Sequence, residues 1–186
     1  DELVTAMNRA AESAVPEAAP DGVSGALVRL AAEPDVGPVA ALLEKAEAAL
    51  AFEPRGDGGE GLVVAAHAGG DACLVAPADA SRAGALWLLS AHAVVHDAKA
   101  QPGFVCAPVG PAFDTAVAAY LLAPERPEKE RTLFALAGAD EGARLVEGPA
   151  AEAAAATRAA LTWRVAEAQR HRLVELGLER LFREIE

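Results

Sequence analysis

The sequence contains few aromatic residues and few positive charges. Of its 186 residues only 4% are aromatic, and 16 are Lys or Arg against 28 Asp or Glu, so the net charge is −12. Because Lys and Arg supply most contacts to phosphate, this balance argues against a free-standing nucleic-acid-binding protein and against an anionic membrane surface as a partner. No stretch approaches the ~18 consecutive apolar residues of a transmembrane helix.

Cysteine is limited to Cys73 and Cys106, which do not form a CxxC pattern. This spacing supports neither a disulfide framework nor a zinc site. Two reduced thiols are typical of a cytoplasmic protein, and we expect that location. The chain starts at Asp1 without a signal peptide and stops at Glu186 within a helical pattern, so we expect both ends to be internal to a longer protein.

Alanine makes up a large share of the apolar residues. There are 48 Ala, about half of the 53% hydrophobic content. A core can therefore form from Leu, Val and closely packed Ala. The length suits one ordinary domain.

The first half of the chain predicts a linker followed by a β meander. Residues 1–46 are rich in Ala, Glu and Pro, and they indicate an N-terminal linker or helical cap. Apolar runs at 48–53, 62–68 and 71–75 then predict three antiparallel strands, because Gly69-Gly70 between the last two is typical of a hairpin turn.

Shorter elements alternate after residue 77. In order, the pattern predicts a helix capped by Asp79 or Ser81, strands at 93–95 and 105–109, a helix at 115–122 capped by Asp114, and a long helix at 150–176. Together with the meander, this order indicates an α/β fold with a mixed sheet and helical crossovers.

The C-terminal residues form an apolar stripe at helical spacing. Its members are Leu178, Leu181, Phe182 and Ile185. Because the stripe continues to the end of the chain, we expect its partner surface to lie outside it.

Other candidate sites have simpler interpretations. Gly56-x-Gly58-x-x-Gly61 precedes a strand rather than a helix, so we interpret it as a hairpin loop and not as a dinucleotide site. We interpret the histidines as structural or surface residues; they are His67, His92, His96 and His171. Six arginines lie between residues 158 and 183. They indicate solvated helix faces with salt bridges to neighbouring glutamates. The alternative is a binding surface for a neighbouring domain or a nucleic-acid backbone.

Two motifs resemble the 3′–5′ exonuclease domain of DNA polymerase I, a family A DNA polymerase. Residues 113–122 match Phe-Asp-Thr-x-x-Ala-x-Tyr-Leu-Leu and follow the turn His96-Asp97-Ala98-Lys99, and residues 177–186 resemble the run into the polymerase domain. The resemblance implies an RNase H-like (DnaQ-like) fold, a mixed five-stranded sheet flanked by helices. It also implies that residues 1–46 are an N-terminal linker or cap, 47–176 an exonuclease-like domain and 177–186 the start of a connection to a polymerase domain.

The resemblance also implies a degenerate catalytic site. Active members hydrolyse a 3′-terminal phosphodiester with two divalent metal ions, which four carboxylates hold. The first-strand pair falls at Glu53 and Arg55, the second-motif Asp at Gln101, and the Tyr and Asp of the late helix at Pro149 and Ala153. Only Glu53 keeps a carboxylate, and beside Arg55 it predicts a salt bridge rather than a metal site. We therefore expect no catalytic residue, metal or cofactor in this domain.

The resulting hypothesis is a catalytically inactive, vestigial exonuclease-like structural domain of a DNA polymerase I that takes part in DNA replication and repair. It implies that the parent chain is a nucleotidyltransferase that uses Mg²⁺. The implied partners are the polymerase domain and the 5′-nuclease region of the same chain, with DNA contacted through that chain, no membrane and a monomeric state. Two alternatives stay open: an active metal-dependent 3′–5′ exonuclease with displaced carboxylates, and a non-catalytic nucleic-acid-binding module.

Overall fold

A six-stranded mixed sheet organises the chain. The computed structural model describes residues 26–29, 35–55, 61–70, 72–140, 143–145 and 148–185. In chain order the strands are β1 (Ala26–Arg29), β2 (Ala48–Pro54), β3 (Leu62–His67), β4 (Ala72–Ala78), β5 (Ala93–Val95) and β6 (Phe113–Asp114). Their order across the sheet is β1-β4-β3-β2-β5-β6, and β3 is antiparallel to both of its neighbours while the remaining pairs are parallel. The predicted α/β class and the three-stranded meander are confirmed.

Helices cover both faces of this sheet. They are α1 (Gly37–Leu43), α2 (Ala80–Leu86), α3 (Thr115–Leu122), α4 (Leu133–Leu136), α5 (Ala150–Glu175) and α6 (Glu179–Ile185). Short 3-10 segments occur at Trp87–His92, Ala98–Ala100, Phe104–Cys106 and Glu128–Glu130. None of the helices in the described part of the chain is both long and apolar enough to cross a bilayer.

Side chains alternate between the two faces of each strand, so the sheet has a buried core on each side. On β2, Leu50 and Phe52 face α1, α2 and the buried Trp87, whereas Ala49 and Ala51 face the opposite side. That opposite side is covered by α5, whose fully buried alanines pack against small residues of β2, β3 and β4. The high alanine content thus lets a helix approach the sheet closely.

The described part of residues 1–46 belongs to the same fold. Strand β1 pairs with β4 at one edge of the sheet, and Val39 and Leu43 of α1 are fully buried in the core. These described segments contribute an edge strand and a core helix, and the boundary of a linker or helical cap at residues 1–46 stays a prediction. Residues 1–25 lie outside the described residues.

The predicted strand at residues 105–109 is wrong. A 3-10 turn begins at Phe104, whose ring packs edge-on against Trp87 at 5.1 Å, and Val105 points to solvent with 94% exposure. The partner of β5 is instead β6, whose approach starts with a bond from the Ala112 N–H to the Ala93 carbonyl at 2.8 Å. Prolines at 108 and 111 lack the N–H that a ladder needs, so pairing begins only after them.

The long helix predicted near the C-terminus is confirmed. Helix α5 ends at Glu175; Gly177, just beyond its C-cap, has φ +68°, and the N–H of Leu178 bonds to the carbonyl of Leu173 at 2.9 Å. In α6, Phe182 is only 5% exposed and stacks on Phe113 with ring centroids 4.6 Å apart. The expectation that the whole apolar stripe lacks a partner is therefore wrong for Phe182.

Candidate functional site

A cleft of about 200 Å³ opens at the carboxyl ends of β2 and β5. Its apolar wall comes from residues 50–52 of β2 and from Leu133 of α4, and its polar side chains come from the turn after β5 and from α5. Ligands of open α/β sheets bind at this edge, because the strand ends and their following loops converge there. The cleft is therefore the candidate site.

The polar side of the cleft has mixed charge. Its polar lining residues are His96, Asp97, Gln101, Arg158 and Thr162. Two elements contribute them: β5 leads into the turn that carries His96, Asp97 and Gln101, and α5 directs Arg158 and Thr162 towards the sheet. A guanidinium and a carboxylate thus share one small volume.

The carboxylate of Glu53 is paired with Arg158. The Arg158 Nε lies 2.5 Å from the Glu53 Oε1, and the two side chains are 46% and 20% exposed. The same guanidinium lies over the ring of Phe134 in α4, 5.5 Å from its centroid. Arg158 therefore links β2, α4 and α5 at the cleft.

The predicted salt bridge at Glu53 exists, but the predicted partner Arg55 is wrong. Residue 55 follows the end of β2 and is exposed, and its backbone N–H bonds to the carbonyl of Gly61 at 3.0 Å. Arg158 reaches Glu53 instead because α5 crosses the sheet on the face to which that carboxylate points. The carboxylate kept at the motif positions therefore does meet a positive charge, which comes from α5 rather than from residue 55.

The other predicted site residues separate into two groups. Gln101 lines the cleft, and its Nε2 donates to the carbonyl of His96 at 2.8 Å. Ala153 is fully buried in the first turns of α5, where its N–H bonds to the carbonyl of Pro149 at 2.8 Å. Neither Ala153 nor Pro149 lines the cleft. The structure thus places Gln101 and Arg158, the partner of Glu53, in the lining of the cleft, whereas Glu53 itself, Arg55, Pro149 and Ala153 do not line it.

The turn after β5 contains His96, which the sequence motifs include but to which they gave no role in the site. The Nδ1 of His96 lies 2.8 Å from the Oγ1 of Thr115, so the half-buried imidazole connects β5 to α3. Burial lowers the pKa of His96 below its ordinary value, more strongly than Asp114 and Asp97 raise it. A neutral imidazole therefore lines the cleft at neutral pH.

Asp114 holds this turn in place. The predicted helix cap is confirmed by a 2.8 Å bond from the Ala116 N–H to its Oδ1. The same carboxylate also accepts the N–H groups of Asp97 at 3.0 Å and Ala98 at 2.8 Å. No sequence signal indicated this second role, because it depends on the parallel pairing of β5 with β6.

A second polar pair, Cys73 and His67, is buried beneath α5 and has a structural role. The Sγ of Cys73 is 3.4 Å from the Nδ1 of His67 and 3.6 Å from the carbonyl oxygen of Ala156. Burial raises the pKa of the Cys73 thiol to about 11. This protonated thiol is a poor nucleophile, and the pair fills space between β3, β4 and α5.

Surface arginines form ion pairs with glutamates along the C-terminal helices. Arg172 pairs with Glu175 at 2.9 Å, as predicted. Other pairs join partners that the sequence did not suggest, such as Arg170 with Glu47 at 2.5 Å. These contacts neutralise part of the positive charge that a nucleic-acid backbone would need.

Among the residues that the structure describes, no group of three or more His, Cys, Asp or Glu side chains is arranged to hold a metal ion. The glycine-rich hairpin loop at 56–60 lies outside the described residues. No protein-family model, curated protein or solved structure matches this chain. What the chain does must therefore be inferred from the cleft and from the motifs.

Proposed function

We propose that this chain is a catalytically inactive, exonuclease-like structural domain with an RNase H-like fold, in a DNA polymerase I that takes part in replication and repair. The fold part of this proposal is supported by strands β2 to β6, which make a five-stranded mixed sheet with helices on both faces. Strand β1 extends that sheet by one edge strand.

The observation that carries the proposal is the ion pair at the cleft. Two divalent cations held a few ångströms apart require several carboxylates, which offset their charge and fix their geometry. Here the carboxylate of Glu53 is bound to a guanidinium, and the second-motif position is the neutral Gln101, whose amide is used by the turn. A guanidinium at this carboxylate competes with metal ions by charge and by position.

A structural role also has support from the C-terminal helix. Phe182 anchors α6 in the core, whereas Leu181 and Ile185 are 43% and 54% exposed on the same short helix. This arrangement suits a helix that is fixed on one side and carries an apolar surface on the other. We propose that a polymerase domain covers that surface in the parent chain.

The activity test uses single-stranded DNA with a fluorescent 5′ label and a chemically free 3′ end, incubated with Mg²⁺ or Mn²⁺. The expected result is no shortening of the 3′ end. Shortening that disappears in Glu53→Gln would contradict the proposal and support an active exonuclease with displaced carboxylates. A second measurement follows thermal unfolding with and without Mn²⁺, where a metal-dependent rise of several degrees would also count against it.

A binding test separates the third possibility. Retention of single-stranded DNA at about 100 mM salt, weakening steeply as salt is raised, would favour a nucleic-acid-binding module. We expect no such binding, because the ion pairs of Arg158, Arg170 and Arg172 already engage these guanidinium groups.

The structural role is tested in the parent chain. Substituting Leu181→Glu together with Ile185→Glu is expected to make this domain unfold separately from the rest of the protein. Val174→Glu is the matched control, because Val174 is 56% exposed on the neighbouring helix and is not part of the stripe. Equal effects of both changes would contradict the assignment of α6 as the junction.

A further inference from the structure

The interface between the first half of α5 and strands β2, β3 and β4 is made of small side chains. Its buried members on α5 are alanines, and the facing residues are Ala51, Val63, Ala65, Cys73 and Val75. The larger buried side chains of this half, Leu161 and Val165, pack against α4 instead. Small, uniform side chains hold a helix close to a sheet without selecting one position along it. Other contacts must therefore determine where α5 lies along these strands.

Two arginines of α5 contact glutamates near opposite ends of β2. The Nε of Arg158 is 2.5 Å from the Oε1 of Glu53, which lies near the carboxyl end of the strand. The Nη2 of Arg170 is 2.5 Å from the Oε2 of Glu47, the residue just before the strand. Both ion pairs therefore join α5 to a second element across the interface.

An aromatic ring supports each of these arginines. The guanidinium of Arg158 lies over Phe134 of α4, 5.5 Å from the ring centroid, and that of Arg170 lies over Phe113 of β6, 4.9 Å from its centroid. A planar guanidinium that is both stacked on a ring and paired with a carboxylate is held from two sides. Each arginine can therefore define a position as well as supply charge attraction.

The spacing of the two contacts matches the geometry of a helix packed on a strand. Arg158 and Arg170 are twelve residues apart, which is about 18 Å along a helix, and Glu53 and Glu47 are six residues apart, which is about 20 Å along a strand. The later arginine meets the earlier glutamate, so α5 runs antiparallel to β2. A displacement of α5 by one helical turn, about 5.4 Å, would break both contacts at once.

We propose that Arg158 and Arg170 are two clamps that set the register of α5 on β2, and that this register places Arg158 and Thr162 in the lining of the cleft. The alanine contacts supply burial, and the clamps select the position. Without the clamps, α5 stays helical and buried but occupies more than one position along the sheet, so the cleft loses the fixed wall that this helix provides. This role of the two arginines is the same whether or not the domain belongs to a polymerase.

Trp163 reports the position of α5, because it lies between the two clamps on the same helix. A Cβ atom at Gly69, in the turn between β3 and β4, would lie 3.4 Å from its indole nitrogen, and its ring meets the ring of His67 edge-on at 6.3 Å. Sliding of α5 changes both contacts. Trp87 is the internal reference, since it is fully buried on the opposite face of the sheet beside Phe52.

The experiment replaces both tryptophans with a fluorinated tryptophan and records fluorine NMR spectra at about pH 8, where histidine is ordinarily neutral. The Trp163→Phe protein assigns the two resonances. The wild-type chain should give one narrow Trp163 line. In the Arg158→Met, Arg170→Met variant this line should broaden or split, while the Trp87 line and the helical circular dichroism stay unchanged.

The matched control removes two arginines whose ion pairs lie within a single helix. Arg172 pairs with Glu175 in α5, and Arg180 pairs with Glu184 in α6, so neither contact can fix α5 against β2. The Arg172→Met, Arg180→Met variant should therefore keep the narrow Trp163 line.

A second clamp variant, Glu47→Met with Glu53→Met, removes both acceptors while it keeps side chains of similar length, and it should broaden or split the Trp163 line in the same way. Three results would overturn the clamps. The first is a narrow Trp163 line at the wild-type position in either clamp variant, since the alanine contacts would then set the register alone. The second is equal broadening in the control variant. The third is loss of helical circular dichroism in both clamp variants, because these contacts would then hold the fold together rather than select a position.

Discussion

Separating Glu53 from Arg158 tests the claim that an internal cation neutralises the one carboxylate kept at the matched motif positions. The perturbations are Glu53→Gln, Arg158→Met and the double variant. Methionine keeps much of the aliphatic stem and its packing near Phe134, while it removes the guanidinium. Each single variant leaves one partner of a 2.5 Å pair without its counter-ion.

The structure sets the size of the expected effect. Fully exposed ion pairs contribute about 0.2–1 kcal/mol, and hydrogen bonds to charged groups contribute about 1.5–3 kcal/mol. Glu53 is 20% exposed and Arg158 is 46% exposed, so the pair lies between these cases. We expect a coupling energy of about 1 kcal/mol, which for a chain of this length corresponds to about 2–4 °C in Tm.

The assay is a double-mutant cycle of the free energy of unfolding, measured with urea at low salt. Arg180 and Glu184 provide the matched control, because this pair is 2.8 Å apart but its side chains are 89% and 56% exposed. Its coupling energy should not exceed about 0.5 kcal/mol. If the Glu53 pair couples no more strongly than this control, the guanidinium does not neutralise the carboxylate in the way that the inactive site requires.

Three further predictions concern the core and the turn. Phe182→Ala should destabilise the domain by about 3–5 kcal/mol, since Phe182 is buried against Phe113. Leu181→Ala, on the exposed side of α6, should change the stability by less than about 0.5 kcal/mol. Equal urea midpoints of the two variants would contradict this difference between the buried and the exposed side of α6. Asp114→Asn should cost about 1–3 kcal/mol, because an amide cannot accept all three backbone N–H groups, and an unchanged midpoint would show that these bonds contribute little. The pKa of Cys73 is about 11 in the folded state and 9.0 in the unfolded state. The stability that the neutral thiol contributes below pH 9.0 should therefore fall by about 2–3 kcal/mol as the pH rises towards 11. Urea titrations at both pH values should show that Cys73→Ala lacks this component of the loss.

Features that depend on a few neighbouring residues could be predicted from the sequence. The cap at Asp114, the end of α5 at Gly177 and the tight turn between β3 and β4 each follow from local backbone chemistry. The long alanine-rich helix follows from intrinsic propensity. These features need no knowledge of what packs against them.

The candidate site could be predicted only in part. The motif positions of Glu53 and Gln101 point to the correct edge of the sheet, because Glu53 lies near the carboxyl end of β2 and Gln101 in the turn after β5, and these two strand ends meet there. Arg158 was not singled out for this role, since it lies more than 100 residues from Glu53 and nothing local relates them. The contact of His96 with Thr115 likewise requires that β5 and β6 pair in parallel.

By itself, the sequence determined the class of fold, the meander, the main helices and a shortage of carboxylates at the matched motif positions. Tertiary structure alone decided which strand pairs with β5, which cation meets Glu53, and which half of the C-terminal stripe is covered. The physical reason is range: capping, turn geometry and helix propensity act over a few residues, whereas strand pairing and ion pairing are selected by surfaces that meet only after the whole sheet has formed.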